Sequence, residues 1–100
     1  MSLTCIISEA SNLDLERIAD YLGSNYGLAN SERFIDGITS RLKHLAQFPR
    51  IGRSREEMAK GLRSLPYEKY LILYKVDERS IKVVRVVSGY QDLSMLFNDA

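Results

Sequence analysis

The sequence has no tryptophan, two prolines, one histidine and one cysteine. Each scarcity excludes something. A single cysteine, Cys5, cannot close an intramolecular disulfide, and its apolar neighbours mark it as a small core residue rather than a nucleophile. A single histidine, His44, gives no zinc cluster, and a serine triad would need a second base that is not there. Between Leu42 and Leu45 at helical spacing, His44 reads as a surface side chain. Gly52 and Gly61 stand isolated, so there is no glycine-rich phosphate loop. No metal or cofactor is expected. No apolar run approaches the roughly 18 residues of a membrane span, and no basic start followed by a long apolar stretch marks a signal peptide. The expected location is the cytoplasm, with no membrane partner. Neither sign of charge prevails: 14 Lys and Arg face 13 Asp and Glu, for a net charge of +1.

What is present is ordinary in amount and uneven in placement. A chain of 100 residues is expected to form one domain over 1–100, burying roughly two-thirds of its unfolded surface. Cations crowd the middle: Arg41, Lys43, Arg50, Arg53, Arg55, Lys60 and Arg63 are opposed only by Glu56 and Glu57. Arginine predominates there, which suits planar contact with phosphate or carboxylate, although a solvated loop explains the charge equally well.

Periodicity divides the chain. Residues 2–8, around Thr4-Cys5-Ile6-Ile7, are β-prone. Ser11 followed by Asp14 resembles a capping box, so a helix is expected to start there. Leu15, Ile18, Ala19, Leu22 and Tyr26 then form one apolar stripe, with Asp14, Glu16, Arg17 and Asp20 mainly off it. Gly27 can end the helix at positive φ. A second helix begins near 28–31, with Phe34, Ile38, Leu42, Leu45 and Ala46 as its buried stripe and Ile35 alongside. Pro49 stops it. The short link predicts an antiparallel helix hairpin.

Residues 49–60 read as a loop, 62–65 as a short strand, and 66–69 as a turn led by Pro66. Strands follow over 70–76 and 81–87, joined by Asp77-Glu78-Arg79-Ser80. In the first, Leu71, Leu73 and Lys75 share one face, and Tyr70, Ile72, Tyr74 and Val76 the other. The second alternates less cleanly. The predicted fold is α+β: an N-terminal strand, a helix hairpin, then a three-stranded antiparallel meander, with one sheet packed on the helices. The sheet face away from the helices carries large apolar groups, which predicts a partner over it.

The residues leave two chemistries open. RNA cleavage without histidine needs crowded Lys, Arg and Tyr side chains; the candidates are Arg53, Arg55, Lys60, Arg63, Arg85 and Tyr90. Alternatively, Arg63 and Arg85 stabilise the sheet and contact neighbouring carboxylates.

The order and spacing of several short motifs resemble the ParE branch of the RelE/ParE toxins of bacterial type II toxin-antitoxin systems. The match begins at Ala10, Asp14-Leu15, Ile18 and Tyr21 and runs through Ala29, Phe34, Leu42, Leu45, Pro49, Gly52 and Arg53. It is sharpest in Gly61-Leu62-Arg63-Ser64-Leu65-Pro66, Tyr70-Leu71-Ile72-Leu73-Tyr74 and 81–87, and it closes with 89–92 and Phe97. The resemblance implies a growth-inhibiting, plasmid-stabilising toxin neutralised by a cognate antitoxin that crosses the helix hairpin and sheet. ParE-like members inhibit DNA gyrase, and RelE-like members cut messenger RNA on the ribosome. Nuclease members usually carry a cation two positions after the glycine that follows the last strand, and often a tyrosine in the tail; here those positions are Gln91 and Phe97, and at Gln91 the chain also departs from the many ParE-like members with arginine there. The resemblance therefore implies a gyrase-binding toxin without enzymatic activity. The alternatives are a ribosome-dependent endoribonuclease using Arg53, Arg63, Arg85 and Tyr90, with nucleic acid as partner, or a non-toxic antitoxin-binding homologue. The residues implied for target or antitoxin contact are Arg53, Arg55, Arg63, Tyr70, Tyr74, Arg85 and Phe97, with a homodimer where antitoxin is absent.

Overall fold

A computed structural model describes residues 2–89. The elements follow in the order β1 (Thr4–Ile7), α1 (Glu9–Tyr26), α2 (Leu28–Gln47), β2 (Arg53–Ser54), β3 (Leu62–Tyr67), β4 (Tyr70–Val76) and β5 (Ser80–Ser88). The strands form one sheet in the order β1-β5-β4-β3-β2. β1 runs parallel to β5, and every other pair is antiparallel. The α+β layout read from periodicity is the one observed, with two additions. The short β2 joins the sheet edge beside β3, and β3 runs on to Tyr67, so Pro66 sits inside the strand opposite Leu71. The turn shortens to Glu68-Lys69, with Glu68 at φ 54°.

The start of α1 differs from the capping box expected at Ser11. Ser8 is the N-cap, accepting from the Ser11 amide at 3.1 Å, and the helix is already under way at Glu9. Ser11 and Asp14 do not face solvent. Both are buried, at 0% and 7% exposure, and are aimed at β5. Gly27, at φ 97°, is the single residue between the helices. Tyr26, expected in the buried stripe, is 61% exposed at the hairpin tip.

The core lies between the hairpin and one sheet face: Leu15, Phe34, Ile38 and Leu45 pack on Leu65, Ile72, Tyr74, Ile81, Val83 and Val86. Leu42 is only partly buried. α2 approaches β3 at Gly37, where a Cβ would collide with the Tyr67 hydroxyl. Tyr67 and Tyr70 both pack on Phe34, with centroids at 5.7 and 5.3 Å.

The opposite sheet face is not the open apolar surface expected from the sequence. Leu62, Leu73 and Val87 are buried there, flanked by Met58, Ala59, Leu71 and Val84. The segment read as a loop over 49–60 thus folds Met58 and Ala59 over this face and supplies its cover. The uneven alternation of β5 has a physical cause. Tyr74 pairs with Val83 and Leu73 with Arg85, so Val84 has no opposite number. This β-bulge changes the phase, and Val83 and Val86 both reach the helix side. Among the described residues, no helix is long and apolar enough to cross a membrane.

Candidate functional site

The cation-rich loop is fastened to the sheet by a buried phenol. Tyr74, at 0% exposure, donates to the Pro49 carbonyl at 2.9 Å and accepts from the Gly52 amide at 2.9 Å. Gly52 has no room for a side chain: a Cβ would fall 2.9 Å from the Ser64 carbonyl oxygen and against the Tyr74 ring. Burial pushes the Tyr74 phenol up; the Gly52 amide and Arg63 act against that shift.

Two arginines of the loop region are engaged. Arg63 donates from Nη1 to the Gly52 carbonyl at 2.7 Å and to the Arg50 carbonyl at 3.3 Å. Arg55 donates from Nε to the buried Ser64 Oγ at 2.8 Å, and its amide reaches the Leu62 carbonyl. Arg53 is exposed, on a register row that runs Arg53, Ser64, Leu73, Arg85 across the sheet. Lys75 and Lys82 stand directly opposite each other two residues further along β4.

Arg85 is engaged elsewhere. Its Nε and Nη2 grip both oxygens of Asp14 at 2.7 and 2.9 Å. The same Asp14 carboxylate also accepts from the Val86 amide at 2.9 Å. Bonding to Asp14 pushes the guanidinium pKa up, against some desolvation. Where β1 ends, one face of α1 takes over as partner of the β5 backbone. The Ser8 amide and Ser11 Oγ donate to the Val83 carbonyl, the Ser8 hydroxyl reaches the Val84 carbonyl, and Asp14 takes the Val86 amide. Serine and aspartate at i, i+3 and i+6 share that face.

A third feature was not singled out from the sequence. On the outer side of the hairpin, a shallow apolar groove of about 310 Å³ is lined by Ile7, Leu15, Ala19, Ile35, Ile38 and Leu42. Its rim leaves Ile7 43% and Ile35 36% exposed. The available signal was Ile35, an isoleucine beside the stripe where a surface helix should be polar.

The residues expected to contact a target therefore separate. Arg53, Arg55 and Arg63 do gather around the loop. Tyr74 is inside and offers a partner no surface. Tyr70 is partly buried against Phe34, at the end of the sheet near the hairpin tip. Arg85 closes on Asp14 at the β5 edge. Tyr90, Gln91 and Phe97 lie outside the described residues. Among the described residues, no group of three or more His, Cys, Asp or Glu side chains is placed to hold a metal.

A helix hairpin is thus laid on one face of the sheet, with a cation-rich loop tied to β3 and β4. A family model for the ParE toxin of type II toxin-antitoxin systems (parDE) matches residues 5–93, and the chain belongs to that family. It is similar to Toxin ParE1 of Mycobacterium tuberculosis, 31% identical over 94 residues, covering 93% of this chain and 96% of the relative. It is similar to Toxin ParE3 of Caulobacter vibrioides, 27% identical over 81 residues and 81% of each chain. Its fold matches a solved chain of the chromosomal ParDE toxin-antitoxin system from P. aeruginosa, with TM-score 0.75 and 20% identity, covering 87% of this chain and 96% of that one. The protein is a ParE-type toxin of a type II toxin-antitoxin system.

Proposed function

We propose that this toxin acts by binding DNA gyrase rather than by cutting RNA, and that a cognate antitoxin holds it inactive. One observation carries the reading against cleavage: the two sheet arginines best placed for phosphate chemistry already have partners. Arg85 is spent on Asp14 and Arg63 on the carbonyls of Gly52 and Arg50. A transition-state anion needs donors aimed at it and otherwise unengaged. Gln91 and Phe97 supply neither a cation nor a hydroxyl at the positions where nuclease relatives carry them. The exposed Arg53 beside the loop is then a contact for a protein surface, at the rim of an interface rather than in a reaction centre.

The antitoxin's place is the hairpin groove. An amphipathic segment laying apolar anchors along Ile7, Ile35 and Leu42 would cover side chains that the toxin alone leaves in water. Without antitoxin, the same groove is the surface through which two copies would pair. The site of action is the cytoplasm.

The test is direct. Purified toxin is titrated into a gyrase supercoiling assay, and messages translated in its presence are mapped by primer extension. Supercoiling should fall while the messages stay uncut. Unchanged supercoiling at large molar excess, or cuts within codons, would overturn the reading. Induction without antitoxin should stop growth.

A further inference from the structure

At the end of the molecule away from the loop, the hairpin tip and the β3–β4 turn enclose a groove of about 670 Å³. Its walls are the rings of Tyr21, Tyr26, Phe34 and Tyr70, and its rim holds Arg33, Lys69 and Glu68. We propose that this groove is a docking site for an acidic, extended segment of a partner protein that carries an aromatic or aliphatic anchor. The proposal does not depend on whether gyrase is the target, and the groove is separate from the apolar groove between α1 and α2.

Three observations carry it. First, the rings are displayed rather than consumed. Tyr21 and Tyr26 are 54% and 61% exposed, and they meet edge to face at 6.3 Å without closing on the core. Large apolar side chains held in water beside a concavity mark an interaction site. Tyrosine also suits a docking surface because it presents wide area with little rotamer freedom to lose. Second, the floor is already rigid: Phe34 is buried at 1% exposure and fixes Tyr70 at 5.3 Å. An anchor side chain would enter a formed pocket and would not have to order one.

Third, the polar groups favour an anion. The phenols of Tyr21, Tyr26 and Tyr70 donate to no group among the described residues, and the Lys69 ammonium has no acidic partner there. Among the described residues, Arg33 reaches only the neutral Asn30 Oδ1, at 2.7 Å. Burial, the neighbouring phenols and Glu68 push the Tyr70 phenol up, so it stays a donor at neutral pH. Against these donors stands, among the described residues lining the groove, one carboxylate, Glu68. It is set at the rim by a two-residue turn that holds it at φ 54°, a conformation that favours glycine or asparagine. A carboxylate-bearing segment satisfies Arg33 and Lys69, whereas a basic segment finds one acceptor and two repulsive cations.

The test selects a library of displayed random 12-residue peptides on the full chain and maps a synthetic copy of the enriched peptide by NMR. Enriched sequences should combine Asp or Glu with Phe, Trp or Leu, and shift changes should centre on Tyr21, Tyr26, Lys69 and Tyr70. Lys69→Glu and Arg33→Glu should each weaken that peptide ~10-fold, while Glu68→Gln should strengthen it ~2–5-fold. A merely structural role for these exposed residues would not produce opposite signs. Enrichment of basic peptides, mapping to the α1–α2 groove, or indifference to all three substitutions would overturn the proposal. NMR contacts between the groove rings and the chain's own residues 90–100 would overturn it too, since the groove would then be filled from within.

Discussion

Tyr74 shows how much one side chain can settle. Its ring is core and its hydroxyl is a clamp: the oxygen joins Pro49 and Gly52, residues more than twenty positions earlier in the chain. Replacing it with phenylalanine keeps the ring and strands the Gly52 amide in a buried place. An unsatisfied buried donor costs about 1–3 kcal/mol, so Tyr74→Phe should lower stability by that amount in urea unfolding, with a small change in cooperativity. The phenol also predicts a pH dependence. Its folded pKa is raised above the ordinary 10.0, so folding favours the neutral form. The stability it contributes is complete below pH 10 and declines as pH rises through 10 toward the folded value. Alkaline unfolding followed by circular dichroism should show that decline in the parent and a shallower one in Tyr74→Phe. Tyr70 adds to the parent decline in the same direction.

Elements, rather than single side chains, meet along the α1–β5 seam. Ser8, Ser11 and Asp14 do for β5 what a strand neighbour would do beyond the end of β1. Removing Asp14 leaves both the Arg85 guanidinium and the Val86 amide unpaired. Breaking a partly buried ion pair from one side costs about 2–4 kcal/mol. Asp14→Ala should therefore destabilise by that much. Arg85→Ala should cost less, because Asp14 keeps the Val86 amide. In a double-mutant cycle, the pair should show a coupling of about 1–3 kcal/mol; a coupling near zero would mean that the seam is held by the serines alone.

The same elements show where sequence reading reaches and where it stops. β4 was legible end to end, because a short run of aromatic and aliphatic residues between turn residues reads as a strand. The helix hairpin was legible from its stripes and from Gly27. β5 was blurred by the bulge at Val84, which breaks a period of two. β2 has two residues and no period at all. Ser11 was read as a cap and Asp14 as lying off the buried stripe, because a polar residue on a helix is assumed to cap it or face water; nothing local says that a sheet edge waits for either. The loop cations were legible as a cluster, but not which of them were already engaged, since the acceptors of Arg63 are backbone carbonyls that carry no sequence signal.

At the scale of the whole molecule, the outer surface is divided by chemistry. The hairpin's outer groove is apolar, the tip groove is aromatic with a cationic rim, and the loop end is rich in arginine. Each region can be altered without touching the others. Ile35→Glu puts a charge on the rim of the apolar groove at a position already 36% exposed. Its melting temperature should fall by only a few degrees, as expected for a surface change of about 1 kcal/mol or less. If the groove is the antitoxin's seat, as proposed, binding of a cognate antitoxin should weaken ~10-fold or more, measured by calorimetry. Unchanged affinity would place the antitoxin elsewhere on the surface.

The pairing of β1 with β5 has a consequence for how the chain comes into being. Thr4 lies beside Ser80, so the first strand has no sheet to join until the last one exists. The helix hairpin, complete at Gln47, leaves the ribosome well before Ser88, the end of β5. At synthesis rates of about 5–20 residues per second, the gap is roughly 2–8 s. Through that interval the hairpin is present without its sheet, and its apolar stripe is uncovered. The partly made toxin is then at its most sticky, and an antitoxin already at hand would meet helices before it meets a folded protein.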